Sequence, residues 1–210
     1  AYIITDLEDN QITAFHPGAM GHSHASRVGD VEGVRLGIVA PDGRDGMLQH
    51  AAEFRAAKIP FVLDPGQAMT LFSGDELVDM IDAASVVAVN DYEARLIAER
   101  TGLAVEEIAR RVDALVVTLG AEGSRIHVGG ATIHVPAVRP SALVDPTGCG
   151  DAHRAALLYG MAQGWDWQKT GRLGSLLGSL KIAARGGQNH AVDRDRVAAM
   201  YAKEFGSDLW

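Results

Sequence analysis

Ser85-Val86-Val87-Ala88-Val89-Asn90 and Ala114-Leu115-Val116-Val117-Thr118-Leu119 are two short apolar runs, and they decide the fold class. Two segments with helical spacing, 92–101 and 105–111, lie between them. An apolar run without polar alternation is typical of a strand that is buried on both faces, as in a parallel sheet. The order of strand, helical connection and second buried strand therefore predicts a parallel β-α-β unit.

The same alternation continues on both sides of this unit. Further strands are predicted at 36–40, 60–64, 125–128 and 131–135, the last two joined as a hairpin by Gly129-Gly130. Further helices are predicted at 45–57, 76–83, 150–163, 166–185 and 193–205. The sequence therefore predicts an α/β fold in which a mostly parallel sheet carries helices on both faces, with one core domain over residues 26–210.

The first residues have a different character. Residues 2–5 and 11–15 are two short strand-like runs around the polar turn 6–10, a pattern that predicts a hairpin. The Gly-, His- and Ser-rich stretch 16–30 has little periodicity and is predicted to be a loop. Residues 1–25 are therefore expected to form a hairpin and loop apart from the core. The chain starts within an apparent strand and without Met, which suggests a truncated or processed chain, with simple Met removal as the alternative.

Composition excludes several classes of protein. The chain has 210 residues and a net charge of −8, and a partner nucleic acid is not expected because Lys and Arg form no cluster. Its one cysteine, Cys149, cannot form an intrachain disulfide, which fits a reducing cytoplasm. No apolar run reaches the roughly 18–20 residues that span a bilayer, so no membrane partner is expected.

Asp145-Pro146-Thr147-Gly148-Cys149-Gly150-Asp151 is the candidate reaction site, and it runs directly into a predicted helix. The first N–H groups of a helix have no internal partner and lie at the positive end of its dipole, which suits phosphate. A carboxylate at Asp151 is useful there if it takes a proton from an attacking hydroxyl. The alternative is a glycine-rich turn in which Asp151 only caps the helix.

Two strand ends carry further candidate residues. Asn90 and Glu93 follow one predicted strand, and Thr118, Gly120 and Gly123 follow the next. Ligands of open α/β sheets bind at the carboxyl ends of the strands, so both segments are expected near the reaction site. For Asn90 and Glu93 the alternative is a helix start that carries a favourable acid, and for the second segment an ordinary glycine turn.

Small residues line one face of the helix at 166–185. They recur at helical spacing, at Gly171, Gly174, Ser175, Gly178 and Ser179. Because glycine costs roughly 1 kcal/mol at a helix position, such a face suggests close approach by a flat group. Tight helix–helix packing is the alternative.

Together these segments resemble the PfkB (ribokinase) family of carbohydrate kinases. The run 145–151 is similar to the family signature Asp-Thr-Thr-Gly-Ala-Gly-Asp, from which Pro146 and Cys149 depart. The other segments follow in family order over residues 85–190. The variant signature, and a hairpin similar to the lid of bacterial nucleoside kinases, point to the nucleoside branch.

The resemblance implies a ribokinase-like fold and transfer of the γ-phosphoryl group of ATP to a primary hydroxyl of an adenosine-like nucleoside or of a sugar. It implies Asp151 as the base, with Gly148, Cys149 and Gly150 supplying amides to the phosphate. It also implies that two copies of the chain can form a homodimer through the lid.

The resemblance further implies the ligand contacts. Residues expected to bind ATP are Asn90, Thr118, Gly120, Gly123, Ser175 and Gly178. Mg²⁺ is expected near Asn90 and Glu93, largely through water. An optional K⁺ ion is expected at Asp145 and Thr147, completed by backbone carbonyls near Ala184 and Gly186.

The resemblance implies that a complete family member has a further N-terminal segment, which contributes sheet strands and part of the acceptor pocket, and we expect this chain to lack it. Since positioning of the substrate contributes about 7–11 kcal/mol to catalysis, we expect the 210 residues alone to phosphorylate little even if they bind ATP. A non-catalytic, ATP-binding fragment is therefore one alternative.

Two other classes of protein compete with a kinase. A metal hydrolase would use His16, His22 and His24 near Asp6 and Asp9, although these histidines lie in a predicted loop. A Rossmann dehydrogenase would need a third glycine after Gly148-Cys149-Gly150.

Overall fold

The strands form two sheets in the computed structural model, which describes residues 2–5 and 11–210. Strands β1 (Tyr2–Thr5) and β2 (Gln11–Ala14) pair antiparallel with each other, as the predicted hairpin requires. The main sheet has six strands side by side in chain order: β3 (Gly37–Val39), β4 (Phe61–Leu63), β5 (Val86–Asn90), β6 (Ala114–Thr118), β7 (Ser124–Val128) and β8 (Ala131–Val135).

The main sheet is parallel from β3 to β6 and antiparallel from β6 to β8. Consecutive parallel strands need a connection that crosses back over the sheet, and helices supply it here. Helix α1 (Arg44–Ala57) joins β3 to β4, α2 (Gly74–Ala83) joins β4 to β5, and α3 (Asp91–Thr101) with α4 (Val105–Ala109) joins β5 to β6. This confirms the predicted mostly parallel sheet.

Three longer helices follow the sheet. They are α5 (Cys149–Gln163), α6 (Trp167–Ile182) and α7 (Arg194–Phe205). Within the described residues no helix is both long enough and apolar enough to cross a membrane.

Helices cover both faces of the sheet because side chains of each strand alternate between two cores. Phe61, Leu63 and Val87 point into the core that includes α1, α2 and α3. Val62 and Val86, which alternate with them, belong to a second core with Leu157 of α5. Every one of these side chains is buried, which explains why the strands read as continuous apolar runs.

The predicted loop 16–30 differs from expectation, since it contains 3₁₀ turns at Gly18–Ala25 and Val28–Asp30. A third 3₁₀ segment, Gly66–Leu71, follows β4. Segment 18–25 lies against α1, where Gln49 Nε2 donates to the carbonyl of His24 (3.1 Å). Such short turns bury no apolar stripe of their own, so hydrophobic periodicity could not reveal them.

Candidate active site

Three candidate segments and one further residue, Asp64, meet at one edge of the main sheet. Asp64 directly follows β4, Asn90 ends β5, Thr118 ends β6, and Gly148 precedes the first residue of α5. The carboxyl ends of parallel strands lie at the same edge, which is the usual place for a ligand in open α/β sheets.

The turn before α5 has the conformation that its glycine permits. Gly148 has φ +84°, and a Cβ there would lie 2.9 Å from the carbonyl oxygen of Gly187 and 3.4 Å from Lys181 Cε. The amide of Cys149 donates to the carbonyl of Pro146 (3.1 Å), so this predicted phosphate contact is already used within the turn. Among the described residues, the amides of Gly148, Gly150 and Asp151 donate to no backbone carbonyl.

Asp151 lies in the first turn of α5 with an exposed side chain. Gly148 occupies the cap position of this helix, and no side chain in the described part of the chain caps it. Asp151 therefore does not cap α5, contrary to the alternative interpretation of the motif. A carboxylate beside free amides can accept a proton where an anion would bind.

Arg154, one turn further along α5, is surrounded by carboxylates. Its Nη2 donates to Asp64 Oδ1 (2.9 Å), its Nε is in ion-pair contact with Asp64 Oδ2, and Nη2 lies 4.0 Å from Glu93 Oε2. Asp64 is only 3% exposed. Burial raises the pKa of Asp64 to about 6 against the attraction of Arg154, and the nearby Glu93 and Asp151 raise it further.

Gly150 has a role that its motif did not suggest. Its backbone φ is not positive, but a Cβ at this position would overlap Arg154 Nη1. The glycine therefore makes room for the guanidinium. The pairing of Arg154 with Asp64 has no local sequence signal, because the two residues are 90 positions apart.

Asn90 and Glu93 bond to each other at the start of α3. The Glu93 amide donates to Asn90 Oδ1 (2.7 Å), and the Asn90 amide donates to Glu93 Oε2 (2.8 Å). This reciprocal cap is the alternative interpretation of the pair, and it fixes the Glu93 side chain at the sheet edge. One carboxylate fits a Mg²⁺ ion that keeps most of its water and phosphate ligands. The described residues contain no cluster of three His, Cys, Asp or Glu side chains suited to a metal.

A cavity of about 310 Å³ opens between the end of β6, the start of α5 and α6. It collects most of the predicted nucleotide-binding residues, and its lining includes Thr118, Gly120, Gly123, Cys149, Gly150, Ser175 and Gly178. Asn90 is not among the lining residues.

The glycines of α6 fall into two groups. A Cβ at Gly171 would lie 2.7 Å from Ile126 Cδ1, and a Cβ at Gly174 would lie 2.6 Å from His153 Cδ2. A Cβ at Gly178 would meet no atom within 4 Å. Close packing therefore explains the first two positions, whereas Gly178 leaves open space in the cavity wall.

His153 was not predicted from the sequence. It is buried, it lines the cavity, and its Nε2 has no hydrogen-bond partner in the part of the chain that the structure describes. Burial lowers the pKa of His153 to about 4, and the charge of Arg154 lowers it further, so the ring is neutral at pH 7.

Asp145 and Lys181 organise the other side of the turn. The Asp145 carboxylate accepts from the amides of Thr147 (2.9 Å) and Gly186 (2.7 Å), and these bonds lower its pKa to about 2. Lys181 Nζ donates to the carbonyls of Asp145 (2.9 Å) and Ala184 (3.0 Å). Asp145 and Ala184, which were expected around K⁺, thus already accept hydrogen bonds from the Lys181 ammonium group through their backbone carbonyls. The residues present therefore do not fit K⁺ at this place.

The metal-hydrolase alternative gains little from the structure. The rings of His22 and His24 are 6.1 Å apart, and His16 Nδ1 accepts from the amide of Gly18. Asp6 and Asp9, the proposed carboxylate ligands, lie outside the described residues.

Comparison with known proteins shows the family of this chain. Residues 1–194 match the family described as pfkB family carbohydrate kinase. The nucleoside kinase of Methanocaldococcus jannaschii is 29% identical over 203 residues, which are 97% of this chain and 67% of that protein. The chain thus spans about two thirds of the length of this relative.

Solved structures give the same result. The nucleoside kinase of Burkholderia thailandensis, in complex with inosine, is 49% identical with a TM-score of 0.95, covering 98% of this chain and 68% of that chain. Its structure in complex with ADP-inosine has a TM-score of 0.94 at 49% identity, covering 98% of this chain and 65% of that chain. Arabidopsis thaliana ribokinase shares the fold, with a TM-score of 0.69 at 24% identity. The match covers 83% of this chain and 59% of that chain.

Proposed function

The chain belongs to the pfkB family of carbohydrate kinases, and on that premise we propose that it transfers the γ-phosphoryl group of ATP to a primary hydroxyl of a nucleoside. One observation carries the proposal. The exposed carboxylate of Asp151 lies on the same helical turn as amides that donate to no backbone carbonyl. That combination suits a phosphoryl group and the hydroxyl that attacks it.

In the proposed reaction, Asp151 accepts the proton of the attacking hydroxyl. The hydroxyl oxygen then forms a bond to the γ-phosphorus while the bond from that phosphorus to ADP breaks in line. The amides of Gly148, Gly150 and Asp151 donate to the oxygens that carry the developing charge. Mg²⁺ would neutralise charge on the phosphates, and Glu93 would hold it through its water shell.

The cavity beside α6 is the proposed site of the ATP base and ribose. Thr118, Gly120 and Gly123 would face the sugar and phosphates, and Ser175 and Gly178 would lie against the base. The Burkholderia kinase bound to ADP and inosine supports a purine nucleoside as the acceptor. Adenosine, favoured by the sequence, and inosine are both candidate substrates.

Residues 1–25 are proposed to cover the acceptor as a lid, with residues 26–210 as the ATP-binding core. The side chains of Tyr2 and Ile4 in β1 are 82% and 70% exposed. An exposed apolar strand of this kind supports pairing with the lid of a second copy, which is the assembly expected from the sequence. A cytoplasmic location remains an expectation from cysteine content and composition.

Two experiments test the proposal. ADP release is measured with a panel of adenosine, inosine, other nucleosides and ribose, and ADP binding is measured by calorimetry. Turnover with a nucleoside that Asp151→Asn abolishes would support the kinase. ADP binding without turnover on any acceptor would favour the non-catalytic, ATP-binding chain, and the absence of ADP binding would refute both.

A further inference from the structure

Lys181 is a lysine without exposed surface, 0% of it being accessible to solvent. Lysines are almost never fully buried unless they are paired, because an isolated ammonium loses its hydration. Here the ammonium donates to two backbone carbonyls, those of Asp145 at 2.9 Å and Ala184 at 3.0 Å. These oxygens replace water around the charge.

The two carbonyls belong to segments that form the phosphate turn and the loop behind it. Lys181 itself lies in the last turn of α6, where the negative end of the helix dipole favours a cation. The Asp145 carboxylate accepts from the Gly186 amide at 2.7 Å and so joins the same two segments a second time. The cation and the carboxylate together fix the turn relative to the end of α6.

The lysine stem packs directly behind the first residue of that turn. A Cβ at Gly148 would lie 3.4 Å from Lys181 Cε, which places the stem against the Gly148 backbone. A shift of the ammonium would therefore move the turn whose amides are proposed to bind phosphate.

Backbone carbonyls are also the ligands that replace the water shell of K⁺. An ammonium group and K⁺ carry the same single positive charge, and only one of them can occupy this place. We propose that the Lys181 ammonium is the fixed cation of the phosphate turn and makes nucleotide binding by this chain independent of K⁺. The nucleotide part of this inference rests on the proposed function, whereas the cation part rests on the contacts alone.

The experiment compares wild type with two variants in KCl, NH₄Cl and tetramethylammonium chloride at equal ionic strength. Lys181→Ala removes the charge and leaves space beside the two carbonyls. Lys181→Met removes the charge but fills the space. Lys203→Ala, which removes an exposed lysine from α7, is the control for net charge. The thermal midpoint and the ADP dissociation constant are measured for each.

Wild type and Lys203→Ala should give the same midpoint and ADP affinity in all three salts. Lys181→Met should bind ADP about tenfold more weakly in every salt, as expected from the loss of a charged hydrogen bond. Lys181→Ala should be equally weak in tetramethylammonium, while KCl and NH₄Cl restore most of its affinity and raise its midpoint.

Three results would overturn the inference. They are a wild type whose midpoint or ADP affinity rises with K⁺, a Lys181→Met variant that binds ADP like wild type, and a Lys181→Ala variant that does not distinguish K⁺ from tetramethylammonium. The wild-type comparison holds even if both variants fail to fold. If wild type binds no ADP in any salt, the proposed function fails. The thermal midpoints would still test whether the Lys181 ammonium takes the place of K⁺.

Discussion

Substitution of Gly150 by alanine tests whether this glycine makes room for Arg154. The backbone at Gly150 has no positive φ, and in a helix alanine is favoured over glycine by roughly 1 kcal/mol. Helix propensity alone therefore predicts a neutral or stabilising change. The contact geometry predicts the opposite, because the new Cβ would overlap Arg154 Nη1.

The magnitude follows from what Arg154 must give up. The added Cβ meets Nη1, whereas Nη2 and Nε of the same guanidinium contact Asp64, so moving the group away from Gly150 strains those contacts. The Asp64 side chain is 5% exposed and that of Arg154 is 16% exposed. Separating a buried ion pair costs roughly 3–5 kcal/mol, because one charge is left without a partner. Because alanine also gains roughly 1 kcal/mol of helix propensity, we expect Gly150→Ala to lower the free energy of unfolding by about 2 kcal/mol, taking the lower end of that range.

A double-mutant cycle without nucleotide separates this effect from any contact with phosphate. Urea unfolding is measured for Gly150→Ala, Arg154→Ala and the double variant. Once Arg154 is truncated the overlap disappears, so Gly150→Ala should then be neutral or slightly stabilising. If the two single effects add, Gly150 does not act through Arg154 and the reasoning is wrong.

Three further predictions concern the site and its surroundings. In a protein completed to the length of its relatives, Asp151→Asn should lower kcat by orders of magnitude with nucleotide affinity nearly unchanged, and a loss below about tenfold would remove Asp151 from the role of base. Gly178→Leu should abolish ADP binding in calorimetry while the protein stays folded, whereas Gly174→Ala should lower the thermal midpoint through its overlap with His153. Burial raises the pKa of Asp64 from 3.8 to about 6, so the folded protein binds the carboxyl proton more tightly than the unfolded chain does. This difference contributes about 3 kcal/mol of stability below pH 3.8, and the contribution is lost as the pH rises above 6. Asp64→Asn should remove that part of the pH dependence of urea unfolding, and an unchanged pH profile would contradict the assignment.

Most of the fold could be predicted because it depends on local patterns. The strands of the main sheet and the α-helices of the described residues lie within a few residues of their predicted bounds, as with the strand predicted at 85–90 and found at 86–90. Each parallel strand is a continuous apolar run, and helices such as α2 carry an apolar face, with Leu77, Met80 and Ile81 buried, which periodicity can detect. The 3₁₀ turns at 18–25 and 66–71 were missed because they have no such stripe.

The site was predicted only in part, because several of its contacts join distant residues. The cavity contains Thr118, Gly120 and Gly178, as their positions at strand ends and on α6 suggested. Lys181 and Asp64 escaped notice, since a lone lysine at a helix end or an aspartate after a strand is normally a solvated residue. Only the three-dimensional structure reveals that both are buried and which groups they bond.

The glycines around the cavity show why a motif match does not by itself assign a role. Gly148 has a positive φ that disfavours any side chain, Gly150 accommodates a guanidinium, and Gly178 leaves space where a ligand can lie. A sequence pattern records all three as the same letter. Their substitutions should therefore fail differently: Gly148→Ala through strain in the turn, Gly150→Ala through a displaced Arg154, and Gly178→Leu through lost ADP binding in a stable fold. Only the last outcome reports on the nucleotide directly, so Gly178 is the position at which a change of size tests the proposed function without disturbing the protein that carries it.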